Sequence, residues 1–252
     1  MRVLLVSDLH FDLHKLDHLL ARVLDPADEI DVVVIAGDLL NIAATLPLDT
    51  QIAITLTYLE RLAAQVPTMI CSRNHNLEHR LASGEKATRW MHEARASGVH
   101  VDGDSFDLDG WRLTACAWWE GPETLAALEA SLDDAGRGRP PRWLWAYHGP
   151  PEGPLSWTGS RHHGDPELPR LLEAHQPDLV LCGHIHQAPF TADGSWVERR
   201  GGTWLFNAGH ERGPLPTSIE LDLQADRASW RSSAGRGQLD LATPRASPTS
   251  DP

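Results

Sequence analysis

The sequence predicts a large mixed α/β fold, on two observations. Strand-like apolar runs alternate with stretches of helical period as far as residue 182, and strand-like runs then follow one another with only turns between. The 252 residues, 41% of them hydrophobic, are enough to bury a sizeable core.

Taken in order, residues 2–6 (RVLLV) form a short apolar run with the length of a buried strand. A helix is expected over Lys15–Leu24, where Leu16, Leu19, Leu20 and Val23 fall at helical spacing. Residues 31–36 (DVVVIA) are β-branched and stopped by Gly37, a second strand. A long helix fits 48–65, with Ile52, Leu56, Leu59 and Leu62 on one face, and Pro67 ends it before the strand TMIC. A helix is expected over 84–97, then short strands near 99–101, 105–108 and 111–117. Pro122 opens a helix over 122–135, as first helical turns prefer. The polar loop 136–141 leads to the strand WLWAY at 143–147. A helix over 165–175 and a strand over 179–182 complete the alternation. Strands near 195–199, 202–207, 217–223 and 227–231 follow. Residues 232–252 are rich in Ser, Gly, Pro, Arg and Ala, so the expected organisation is one domain over 1–231 and a loosely ordered tail.

Charge and cysteine content narrow the function. A net charge of -13 repels polyanions, and no extended basic groove is evident, so long nucleic acid is not an expected partner. Cys71, Cys116 and Cys182 are few, scattered and odd in number, which points to a reducing compartment. The apolar run at the N-terminus is too short for a signal peptide or a membrane span. The expectation is a cytoplasmic protein with no membrane partner.

Five polar motifs share one placement, each just after an apolar strand-like run. They are Asp8-Leu9-His10, Gly37-Asp38, Asn74-His75, His148 and Gly183-His184-Ile185-His186. In α/β folds the carboxyl ends of neighbouring strands lie along one sheet edge, where ligands bind. The loops therefore bring together Asp8, His10, Asp38, Asn74, His148, His184 and His186. Oxygen and imidazole donors without thiolate suit Mn²⁺, Fe or Zn²⁺. Seven donors exceed the needs of one catalytic ion and suit two ions about 3.5–4 Å apart sharing a carboxylate. Each motif alone is common by chance; their order and shared placement carry the inference.

This ordered series resembles the calcineurin-like metallophosphoesterase superfamily over residues 8–186, with closing strands reaching about 231. The resemblance implies a four-layer α/β/β/α sandwich of two mixed sheets flanked by helices. It implies two divalent ions, manganese first among Mn, Fe, Zn and Ni. Asp8, His10, Asp38 and His186 would hold the first ion, Asp38 would bridge, and Asn74, His148 and His184 would complete the second. His75 would stand over the substrate as proton donor or charge stabiliser. The implied reaction is hydrolysis of small phosphodiesters or phosphomonoesters by a metal-bound hydroxide. A nuclease, a cyclic nucleotide phosphodiesterase and a catalytically silent protein-binding scaffold are the alternatives on the same fold.

Three positions depart from the family pattern. Arg73 replaces the usual Gly before Asn-His, and three readings stand: a phosphate clamp, a side chain turned to solvent, or damage to the site. Asn76 stands where the family has Asp or Glu, and Asn41 where many members have a second Asp that orients the catalytic His. For the substrate, a small phosphate ester with a nucleotide or strand end among the candidates, Trp157 and Arg161 on the stiff loop 149–163 are expected contacts, with Arg73. Trp118-Trp119 offer an aromatic wall, and Asn207 to His210 are expected near the Gly-His-x-His loop.

Overall fold

The computed structural model describes residues 1–73, 78–138 and 140–242. The first half-sandwich is built from β1 (Arg2–Val6), α1 (Leu13–Leu24), β2 (Val32–Ile35), α2 (Leu48–Ala63) and β3 (Thr68–Ile70). The small hairpin β4 (His79–Arg80) and β5 (Lys86–Ala87) and the short α3 (Met91–Arg95) come next. The second half contains β6 (Ser105–Leu108), β7 (Trp111–Ala115), α4 (Pro122–Ala135), β8 (Trp143–Ala146), α5 (Leu168–His175), β9 (Leu179–Cys182), β10 (Val197–Arg200) and β11 (Thr203–Asn207). The chain then returns to the first sheet through β12 (Ser218–Asp222), β13 (Arg227–Arg231) and β14 (Arg236–Asp240).

Two six-stranded sheets result, in the orders β14-β13-β12-β1-β2-β3 and β10-β11-β9-β8-β7-β6. Both are mixed: β1, β2 and β3 are parallel, as are β7, β8, β9 and β11, while β6, β10 and β12–β14 pair antiparallel.

The strands read as continuous apolar runs because both faces are covered. Alternate residues serve different cores. Val3, Leu5, Val32 and Val34 pack against Leu144, Ala146, Leu179, Leu181 and Phe206 of the facing sheet. Leu4, Val6, Val33 and Ile35 point the other way, onto Leu16, Leu19, Leu59 and Leu62 of α1 and α2. Trp143, Trp145, Val180 and Cys182 do the same toward Leu128, Leu132, Leu168 and Leu171 of α4 and α5. Three cores between four layers make the expected α/β/β/α sandwich. Each fully buried Leu or Ile contributes about 1.5–3 kcal/mol of transfer free energy.

Four expectations need correction. The helix over 84–97 shrinks to α3, because Lys86 and Ala87 pair with His79 and Arg80 and the Glu85 carboxylate accepts from Glu123 N and Thr124 N at the start of α4. The strand near 99–101 is only a single bridge, His100 to Met69. The helix expected from 165 begins at Leu168, after Asp165 has accepted from the Glu167 and Leu168 amides. The domain does not stop at 231: Arg236–Asp240 extend the first sheet against β13, and Leu239 and Leu241 pack on the inter-sheet core. Alternating polar and apolar residues on an edge strand carry a weak periodic signal, which the Gly-Ser composition masked.

Candidate metal centre

The parallel strands of both sheets deliver their carboxyl-end loops to one rim. Asp8 and His10 follow β1, Asp38 follows β2, Arg73 follows β3, His148 follows β8, and His184 and His186 follow β9. Backbone hydrogen bonds clamp the first two loops together: Asp8 N donates to Gly37 O at 3.3 Å, His10 N to Asp38 O at 2.8 Å and Phe11 N to Leu39 O at 2.8 Å.

Two glycines set the distance between the sheets. A Cβ on Gly37 would stand 2.2 Å from His148 Nδ1, and one on Gly183 would stand 2.5 Å from Asp8 Oδ2. The bare backbones let His148 and Asp8 cross from one sheet to the other. His148 Nδ1–H then donates to the Ala36 carbonyl at 2.6 Å, and His184 N donates to Asp8 Oδ2 at 2.9 Å. Asn207 Nδ2 braces the last loop by donating to Ile185 O at 3.0 Å, the buttress expected of it.

One oxygen or ring nitrogen from each of Asp8, His10, Asp38 and His186 converges to within 4.8 Å of the others. The Nε2 atoms of His10 and His186 are 3.1 Å apart, and His186 Nε2 lies 3.2 Å from Asp8 Oδ1. An ion bound at about 2.0–2.2 Å from each donor fits such a cluster. Beside it are two buried ring nitrogens with no hydrogen-bond partner, His148 Nε2 and His184 Nδ1. Orphaned polar atoms are rare in folded chains and call for an explanation, and a bound ion is one. The bond to Ala36 O fixes the His148 tautomer: Nδ1 carries the proton, and Nε2 keeps its lone pair.

The electrostatics favour the metal-binding form of four of these side chains, His10, His148, His184 and Asp8. Burial pushes His10 down to about 3 and His184 to about 4, and drives His148 well below the ordinary imidazole value. Those rings are neutral, as ligation requires. Burial alone would raise Asp8, but the His186 hydrogen bond and the Arg73 guanidinium help hold the carboxyl far below the usual range. Burial lowers Arg73 to about 10, where it is still a cation at neutral pH.

Arg73 is buried and turned inward, so the reading that sends it to solvent is overturned. It ion-pairs with Asp38, and its Nη1 lies 3.9 Å from Asp8 Oδ1. Asn74, His75 and Asn76 lie outside the described residues. Asn41 uses its side chain locally, its Oδ1 accepting from Ala43 N at 3.0 Å. Trp157 packs on His162 of its own loop, with ring centroids 4.9 Å apart, and Arg161 is exposed on the same loop. Neither lines the cavity next to the site. That cavity, of about 520 Å³, is bounded by Trp118, Trp119, His163, Asp165 and His184. The Trp118 ring lies 5.8 Å from both His148 and His184, and its backbone N–H is held by Ser72 Oγ at 2.8 Å. Trp119 is fixed by donating Nε1–H to Asp165 Oδ2 at 3.0 Å.

His210 is a neighbour that the sequence located only loosely. Its Nδ1–H donates to the Asp8 carbonyl at 2.6 Å, and its ring stands 4.7 Å from that of His186. The buried Lys15 lies 3.3 Å from the same nitrogen and donates to the Glu211 carbonyl at 2.9 Å. No motif pointed to Lys15; it sits on the inner face of α1, where helical spacing alone reads as core.

A family model described as calcineurin-like phosphoesterase matches residues 1–188. No curated protein matches the chain. Among solved structures, TT1561 of Thermus thermophilus is 16% identical at a TM-score of 0.58, the alignment covering 95% of this chain and 98% of that one. The purple acid phosphatase PPD1 from yellow lupin (Lupinus luteus) seeds is 16% identical at a TM-score of 0.57, covering 95% of this chain and 52% of that one. At such identities the likeness is one of fold.

Proposed function

Because the chain belongs to the calcineurin-like phosphoesterase family, we propose that it is a dinuclear-metal-dependent hydrolase of small phosphodiesters or phosphomonoesters. The observation that carries this reading is the convergence of Asp8, His10, Asp38 and His186 beside the unpartnered donors His148 Nε2 and His184 Nδ1. Asp8, His10, Asp38 and His186 would hold one ion; by motif position Asp38, Asn74, His148 and His184 would hold the other. Manganese is the preferred metal, given a donor set of carboxylate, amide and imidazole without thiolate. Two such ions acidify water and neutralise phosphate charge.

The chain's own residues do the rest. The backbone N–H of His184 and the His186 ring keep Asp8 ionised and aimed. The Ala36 carbonyl holds the His148 ring in its ligating tautomer. Trp118 forms a flat apolar wall next to His148 and His184, which suits an aryl or nucleobase group on the ester. His75 serves the leaving group by its motif position. Three buried free thiols, Cys71, Cys116 and Cys182, support a cytoplasmic setting. No helix among the described residues is long and apolar enough to cross a membrane.

Metal analysis with an activity assay tests the proposal. The purified chain is expected to hold about two ions and to hydrolyse bis(p-nitrophenyl) phosphate with Mn²⁺. Asp38→Asn should lose both ions and nearly all turnover. A second reading, a silent protein-binding scaffold, takes its support from the Arg73–Asp38 pair. A chain that stays metal-free and inert with Mn²⁺, Fe²⁺, Zn²⁺ and Ni²⁺ would decide for the scaffold.

A further inference from the structure

Building on the metal-site reading above, we infer that Arg73 is a positioning residue of the site. Its guanidinium is a resident counter-cation that holds the Asp8 and Asp38 carboxylates until a divalent ion displaces it, and it thereby sets how tightly the ion binds.

Asp8 and Asp38 both have 0% exposure. A buried carboxylate needs an opposite charge or a full set of hydrogen bonds. Asp8 has donors around it: the His184 backbone N–H at 2.9 Å, with the His186 ring 3.2 Å away. Asp38 accepts no hydrogen bond among the described residues, so its compensation is a charge. Arg73 is the only arginine or lysine within ion-pair distance of either carboxylate among the described residues. Its side chain is itself only 8% exposed, enclosed with the two anions rather than reaching in from solvent. The guanidinium remains a cation at neutral pH. The glycine usual at this position in the family carries no charge at all.

An ion that takes Asp38 as a ligand must part it from Arg73. The exchange replaces one cation by another on the same oxygens, so the free energy of the resident pair is subtracted from ion binding. Without the guanidinium, the empty site keeps two buried carboxylates and no fixed cation. It is then less stable empty and more attractive to metal.

The test is calorimetric titration of Mn²⁺ into the metal-stripped full chain. Arg73→Ala is expected to bind Mn²⁺ about tenfold or more tightly than the wild type. The stripped variant should unfold at a lower temperature than the stripped wild type, and Mn²⁺ should close that gap. Arg73→Lys keeps a cation and should stay within about threefold of the wild type. Should stripped Arg73→Ala not fold, Arg73→Gln purified with Mn²⁺ and titrated with a competing chelator gives the same comparison. Equal or weaker Mn²⁺ binding by the neutral variants overturns the inference and leaves Arg73 a structural residue. Wild-type binding that Asp38→Asn abolishes is the control that keeps the two failures apart. If no form binds Mn²⁺, wild type included, the site reading and the inference fall together.

Discussion

Gly37→Ala probes the contact between the two sheets on which the site depends. The added Cβ would lie 2.2 Å from His148 Nδ1, against a floor of 3.0 Å, so the ring must retreat by about 0.8 Å (3.0 minus 2.2). The retreat breaks the 2.6 Å bond from Nδ1–H to the Ala36 carbonyl, at a cost of about 1–2 kcal/mol for a buried acceptor left bare. Alanine at φ +85° adds about 1 kcal/mol. The sum of about 2–3 kcal/mol corresponds to a fall in Tm of roughly 4–12 °C for a chain of this size. Nε2 moves with the ring, and a misplacement near 1 Å costs about 10²-fold in turnover. Gly98→Ala is the control, since Gly98 has φ +83° with nothing within 4 Å of its Cβ position. It carries the backbone cost alone and should leave turnover unchanged. The measurements are thermal melts, kcat on bis(p-nitrophenyl) phosphate and bound metal per chain. Wild-type turnover and metal content in Gly37→Ala would refute the placement of His148 as a ligand.

Three further outcomes are expected. The metal-free protein should lose stability as pH falls from about 6.5 toward 4. Burial holds His10, His184 and His210 at about 3, 4 and 4 in the fold, so the unfolded chain binds more protons across that window. The midpoint should drop by roughly 10 °C between pH 7 and 5, and a flat profile would count against neutral rings. Asp102 behaves oppositely: burial lifts it to about 7, so its charged form opposes folding as pH rises from about 4 to 7. Asp102→Asn keeps an acceptor for Ser72 N and should melt a few degrees above the wild type at pH 8, roughly, with no gain at pH 4. Trp118→Ala should raise KM for bis(p-nitrophenyl) phosphate about tenfold while sparing an alkyl diester such as glycerophosphodiester. Equal effects on both substrates would remove the aromatic seat.

The sheet strands were legible because burial on both faces leaves an unbroken apolar run, as in VVVI and LVLC. The described candidate-site residues follow from the sequence because the runs before them end in short polar motifs, and the fold places those ends side by side. What escaped the sequence depends on partners distant along the chain. Glu85 reads as helix until Thr124 claims its carboxylate, 39 residues away. Lys15 reads as one more position on a helix until its ammonium is found beside His210, 195 residues away. Arg73 was ambiguous for the same reason. A lone arginine states its charge, but only the fold states that two carboxylates face it.

The backbone adds a constraint that no motif expresses. Asp8, His10, Asp38 and His184 adopt left-handed conformations, with φ between 49° and 68°. Each costs about 1–2 kcal/mol for a residue with a Cβ, and such strain persists only where surrounding structure fixes it. Here the fixing bonds are His10 N to Asp38 O and Phe11 N to Leu39 O, which lock two of these turns against each other. Asp, Asn and His are also the non-glycine residues that visit this region most readily. The donor types that suit a carboxylate–imidazole metal site are thus the ones able to make the sharp strand-end turns that aim them. One choice of residue satisfies both the coordination chemistry and the backbone. A β-branched residue at any of these four positions would fail on both counts.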